Sequence, residues 1–221
     1  MEKKRRKKSL RKEILRKLFH LMELQALFGY SLIRHFFQER LAILFLTVLL
    51  LILLEVEYVR LEYRPKLPKI FNVFRNREKN NVTGTIYFVA ATIIVFAAFD
   101  YPIALVAMLL TVFGDLAAAL IGIKFGSVYL YKDKTMEGSL AGLGMNLLIG
   151  FILLPAYPVI FISMALVASF VELLTGKLDD NLTVPLFSAF TGQAIAYFAG
   201  VQPEIFPGPV VSAFLNFLGS F

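Results

Sequence analysis

Seven runs of apolar residues, each close to the length that crosses a bilayer as a helix, leave this chain almost no way to fold in water. A bilayer core takes about 20 apolar residues in helical form, with a range of roughly 17 to 25. The runs are Leu18 to Ile33, Leu41 to Val59, Val82 to Phe99, Ile103 to Ile123, Ser139 to Ala156, Val159 to Leu174 and Val184 to Val201. They predict an all-α, polytopic transmembrane bundle of about seven spans. The first and sixth are short, which suits helices of little tilt or ends that stop in a polar pocket. The tail from Pro203, with Pro207 and Pro209 before Val210 to Phe221, is too short to span and reads as re-entrant or interfacial. With 58% of its 221 residues hydrophobic, the chain is excluded from the class of soluble domains with polar surfaces.

The charges report on orientation. Ten of the 23 Lys and Arg lie in residues 1 to 17 and seven more lie between Arg60 and Lys79, in blocks that flank apolar runs. This is the pattern of membrane topology and of contact with anionic lipid, not of nucleic-acid binding. The basic stretch leads straight into Leu18 with no small-residue cleavage site, so it is not a signal peptide. With a cytoplasmic amino terminus, alternation puts residues 60 to 81, 124 to 138 and 175 to 183 on the same side. That side then holds 21 of the 23 Lys and Arg, leaving only Arg34 and Arg40 outside. No repeat or flexible linker divides the remainder, so the organisation is a basic segment, 1–17, and a single transmembrane domain, 18–221.

The chain has no Cys and only two His, His20 and His35, which excludes thiolate chemistry and histidine-rich metal sites. A metal would be held mainly by oxygen, as a hard cation such as Mg2+. Asp115 stands out within Thr111-Val-Phe-Gly-Asp-Leu-Ala-Ala-Ala, because a carboxylate near the centre of a span costs about 2.5–3.5 kcal/mol and needs compensation. Gly114, Ala118, Gly122 and Gly126 recur every four residues on that helix. Such a stripe lets helices approach closely, within one chain or in a homodimer. It also leaves room for a phosphate or metal to approach the backbone.

Two further clusters fall on the same side. In Lys132-Asp-Lys-Thr-Met-Glu-Gly-Ser, Lys134 supplies a point charge, Glu137 an oxygen ligand, and the N–H groups of Gly138 and Ser139 open a helix; an ordinary charged loop with a Thr135 cap has the same residues. Glu172, Lys177, Asp179, Asp180 and Asn181 suit magnesium or a phosphate-bound magnesium, and also suit a solvated loop. Arg16, Lys17 and His20 share a helical face at the membrane surface, where snorkelling explains the first two and His20 is either an interfacial histidine or a phosphate ligand or proton shuttle. There is no Walker A sequence, no G-x-G-x-x-G after a strand, no H-E-x-x-H and no G-x-S-x-G, so soluble-type nucleotide folds are excluded.

These residues resemble the CTP-dependent lipid kinase family, which includes dolichol kinase, phytol kinase and CTP-dependent diacylglycerol kinase and is related to the CDP-lipid cytidylyltransferases. The family motif D-x-x-A-x-x-x-G-x-x-x-G, a spacer and K-K-T-x-E-G is matched by Asp115, Ala118, Gly122 and Gly126, then Lys134, Thr135, Glu137 and Gly138. Asp133 replaces the first lysine, and the spacer is shorter than in dolichol kinases. Arg16-Lys17-x-x-His20, Glu78 with Gly84, and Glu172 with Asp180-Asn181-x-x-x-Pro185 extend the likeness over nearly the whole chain. The cytidylyltransferase signature H-G-G-x-x-D-R is missing, which favours phosphoryl over cytidylyl transfer.

The resemblance implies γ-phosphoryl transfer from CTP, with Mg2+, to a lipid alcohol at the cytoplasmic face. It assigns Asp115 and Asp180 to the metal with Glu137 or Glu172 assisting, and Lys134, Arg16 and Lys17 to phosphates. Gly114, Ala118, Gly122, Gly126, Thr135, Gly138 and Asn181 would line the nucleotide, and a carboxylate or His20 would accept the proton. The rivals are a CDP-lipid synthase using the same pocket and a non-enzymatic transporter or scaffold with an acidic ion path.

Overall fold

The computed structural model describes residues 23–62, 82–131, 134–175 and 178–205. Arg16, Lys17, His20, Glu78 and Lys177, the basic segment 1–17 and the tail beyond 205 lie outside the described residues. Seven helices are described: α1 (23–36), α2 (Glu39–Glu62), α3 (Gly84–Ala98), α4 (Tyr101–Phe125), α5 (Met136–Leu153), α6 (Pro158–Leu174) and α7 (Asp180–Ala199). Between α4 and α5 runs a short antiparallel ribbon of β1 (Tyr129–Tyr131) and β2 (Lys134–Thr135). The described residues are otherwise helical or connecting turns. Helices α2, α4, α5 and α7 are long and apolar enough to cross a membrane, while α3 and α6 are apolar but shorter, at 15 and 17 residues.

One apolar core draws on α1 through α7, and α4 sits at its centre. Half of α4's apolar window is buried, against 17% for α2, which lies at the periphery with most of its leucines exposed. Lipid tails are as apolar as leucine, so burial of apolar area does not drive these helices together; close packing does. Two neighbouring pairs accordingly seat a glycine against a larger side chain. A Cβ on Gly150 of α5 would come 2.8 Å from Phe161 Cβ of α6, and one on Gly192 of α7 would come 2.6 Å from Met164 Sδ of α6.

The helices alternate in direction, as contacts at both ends show. At one end the backbone N–H of Asp100, before α4, donates to Gln193 Oε1 at 2.9 Å, and Gln193 Nε2 donates back to Asp100 Oδ2 at 2.8 Å. Tyr101 reaches Ser31 of α1 there, and the Arg34 guanidinium lies 4.2 Å from the Tyr101 ring centroid. At the opposite end Glu57 of α2 accepts the N–H of Thr83, the residue that precedes α3. Gly84 packs against Asn181 of α7, and Lys134 reaches both α6 and α7. The end of α2, the start of α3, the ribbon after α4, the end of α6 and the start of α7 therefore gather at one end of the bundle.

Candidate functional site

The site is built where α4 ends. Its last carbonyls are closed by Gly126, whose N–H donates to Gly122 O at 2.9 Å. The chain turns into the ribbon, where Tyr129 pairs with Thr135 and Tyr131 with Lys134 across an irregular register. The stretch expected as a loop is thus a ribbon and then a helix, with α5 beginning at Met136. Thr135 is its N-cap, buried, its Oγ1 accepting from Gly138 N at 3.2 Å. A capping hydroxyl satisfies one of the free N–H groups at a helix start.

Thr135 also explains the glycine stripe. A Cβ on Gly122 would lie 3.0 Å from Thr135 Oγ1 and one on Gly126 2.7 Å from the same atom; on Gly138 it would meet the Ala118 carbonyl at 2.7 Å. Higher up, Gly142 faces the Gly114 carbonyl at 3.3 Å and Ala118 Cβ at 3.2 Å. The small face of α4 is therefore taken up by α5 and its cap within one chain, the packing use of the motif. Gly122 and Gly126 admit Thr135.

Glu137, expected as an oxygen ligand, here ties the ribbon down. Its Oε1 accepts from the Ser127 N–H at 2.9 Å and from the Ser127 hydroxyl, and Val128 N–H approaches Oε2 at 3.4 Å. Met136 N–H closes the ribbon base on Val128 O at 2.8 Å.

Lys134 is the residue that joins the clusters. Its ammonium donates to the backbone carbonyl of Glu172 and stands 3.9 Å from Glu172 Oε1 and 3.8 Å from Asp180 Oδ2. All three side chains are partly shielded, Glu172 most at 13% exposed. The other Glu172 oxygen would lie 3.7 Å from a Cβ on Gly142, so the carboxylate spreads from Lys134 toward the α4–α5 seam. Asp180 sits in the first turn of α7, where the helix dipole favours negative charge. Asp179 caps that helix by accepting from Asn181 N at 3.1 Å, and Asn181 is buried with its amide nitrogen against Gly84. Asp115 is half-buried on α4, next to Gly114.

Two polar features escaped the sequence reading. Asn146 of α5 is fully buried, donates Nδ2 to Ser169 Oγ of α6 at 3.0 Å, and sets its Oδ1 against Gly114 with no hydrogen bond among the described residues. Glu57 and Arg60 form a buried two-pronged ion pair at 2.8 and 2.7 Å, and Glu57 also holds Thr83 N–H. Both had a signal: an amide in mid-span and opposite charges one turn apart at the end of an apolar run.

Among the described residues no three His, Asp or Glu side chains gather as a metal-binding group. Magnesium does not require one, since it commonly takes one or two carboxylates and completes its shell with water and substrate phosphate. Glu172 and Asp180 fit that donor set, because both already approach one cationic centre from different helices.

No protein-family model matches the chain. No solved structure matches it. It is 33% identical over 131 residues to an uncharacterized protein of Methanocaldococcus jannaschii; the matched stretch is 58% of this chain and 66%, just under two thirds, of that protein.

Proposed function

We propose that this chain is a CTP-dependent kinase that phosphorylates a membrane-embedded lipid alcohol: a polyprenol or dolichol, phytol or geranylgeraniol, or a diacylglycerol. The bundle would have about seven spans with a cytoplasmic amino terminus, and the site would face the cytoplasm, at the plasma membrane in a prokaryote. The observation that carries the reading is the meeting of Lys134, Glu172 and Asp180, which brings the lysine loop of the family motif onto the late acidic cluster.

In the proposed reaction the lipid hydroxyl oxygen attacks the γ-phosphorus of CTP, the bond from that phosphorus to the β-phosphate oxygen breaks, and CDP leaves. The hydroxyl proton passes to a carboxylate, to His20 or to water. Phosphoryl transfer asks a protein mainly to position the reactants and to neutralise developing charge. Lys134 would turn from its carboxylates toward the phosphates, and Glu172 and Asp180 would hold Mg2+ together with Asp115. Mg2+ held by these carboxylates would supply neutralisation of the charge that develops on the transferred phosphate. Arg16 and Lys17 would add phosphate contacts from the amino-terminal segment. Thr135, Gly138, Ala118, Gly122 and Gly126 would keep the ribbon and α5 seated on α4, and Gly114 would admit Asn146.

Membranes bearing the protein, supplied with labelled CTP and lipid alcohol, test this. Label entering lipid from the γ position supports the kinase. Label from the α position indicates a CDP-lipid synthase, and no transfer together with ion or solute flux indicates a transporter.

A further inference from the structure

The ribbon between α4 and α5 carries an apolar surface that the proposed chemistry does not use. Phe125, Val128, Tyr129, Leu130 and Tyr131 are all between 43% and 69% exposed. Single exposed apolar residues are ordinary on any protein, but a contiguous group marks a surface that meets something. A strand points successive side chains to opposite faces, and here both faces of β1 are bare and apolar, so neither is a solvated side.

The surface is held rigidly at its base. A ribbon of two pairings would not persist alone, and this one is fastened by Glu137 on Ser127 and Val128, by Met136 N–H on Val128 O, and by Thr135 buried against Gly122 and Gly126. Its height follows from α4. A helix of 25 residues is about 37 Å long, against a hydrocarbon core of about 30 Å, so the end of α4 emerges at headgroup depth. Lys124 folds over the Phe125 ring there, 4.9 Å from its centroid, as a cation does when it snorkels beside an interfacial aromatic. Met136, whose N–H bonds Val128 O, and Leu140 one turn on are also exposed, on the span-length helix α5.

We infer that the ribbon is a membrane-interface foot: Tyr129, Leu130 and Tyr131 lie in the boundary between headgroups and acyl chains of the leaflet on the Lys134 side. The occupant of the surface is bilayer lipid, because the patch adjoins the exposed apolar residues of α5 and combines two tyrosines with valine and leucine, the composition of an interfacial belt. The foot fixes the depth of Lys134, which is the first residue of its second strand.

The chain contains no Trp, so one introduced indole reports its own surroundings. Tyr129→Trp and Leu130→Trp place it on the two faces of the ribbon, and Leu51→Trp on the exposed side of α2 gives a reference within a span. The full chain is reconstituted in phosphatidylcholine–phosphatidylglycerol vesicles containing lipid brominated either near the headgroup or near the chain end. Both ribbon variants are expected to emit to the blue of free indole, to lose most of their emission to the shallow bromines and little to the deep ones, and to resist aqueous iodide. Emission of either variant that is quenched by iodide and untouched by brominated lipid would overturn the foot. So would shallow quenching that rises only as lipid dilutes the protein, since the surface would then be covered by a second copy of the chain.

Discussion

The Lys134 ammonium, carried on a strand of two residues, stands 3.8 Å from Asp180 Oδ2 in the first turn of α7. Glu172 of α6 completes the group from a third element. Two carboxylates from different helices thus converge on one cation at a partly shielded end of the bundle.

Lys134→Ala removes the shared cation and leaves Glu172 and Asp180 facing each other. Exposed pairs contribute about 0–1 kcal/mol, whereas breaking a buried pair costs about 3–5 kcal/mol, so this intermediate site should lose about 1–2 kcal/mol. Thermal unfolding in detergent checks that loss. Under the proposed activity the same variant needs more CTP for half-maximal rate; an unaltered CTP dependence counts against a phosphate role for Lys134.

Asp115→Asn keeps the shape of the side chain and removes its charge from α4. The variant should insert and fold as the parent does, by unfolding temperature and gel filtration, and under the proposed activity it should lose γ-phosphoryl transfer to lipid. Retained transfer would separate Asp115 from the metal.

Gly138→Ala drives a methyl onto the Ala118 carbonyl at 2.7 Å and the Gly122 Cα at 3.1 Å, both backbone. Forced overpacking of this kind costs about 1–3 kcal/mol. Gly144→Ala, on the same helix with nothing within 4 Å, should be neutral or stabilising by up to about 1 kcal/mol. Equal effects of the two substitutions on unfolding in a denaturing detergent titration would remove the argument that the motif glycines are packing positions.

Arg60→Ala leaves Glu57 buried with the Thr83 N–H but without the guanidinium. A loss of about 3–5 kcal/mol is expected, and Glu57→Gln with Arg60→Met should recover part of it, because a buried charge left alone costs more than none. A double variant no more stable than Arg60→Ala would contradict that account.

Helix positions were legible because hydrophobic length is a local property: six of the described helices overlie their apolar runs to within a few residues, and α1 overlies most of the first. The shared end of the clusters was legible too, since an alternating chain returns every second link to one side. Asp115, Lys134, Glu172 and Asp180 stood out because charge inside or beside an apolar run is costly wherever the chain goes. The contact of Glu137 was not legible, for the opposite reason. Its carboxylate could serve a metal or a neighbouring turn equally well, and the turn that took it, Ser127–Val128, approaches through the path of the ribbon.

Composition and spacing along the chain thus dictated a helical, apolar bundle and the end of it where polar residues collect, because transfer into oil is decided residue by residue. Which of those residues touch was beyond that reading. That Lys134 meets Glu172 and Asp180, that Thr135 fills the glycine face of α4, and that Asn146 sits on Gly114 depend on how far each helix slides and rotates against its neighbour. Steric fit between distant segments sets that slide, and no local pattern encodes it.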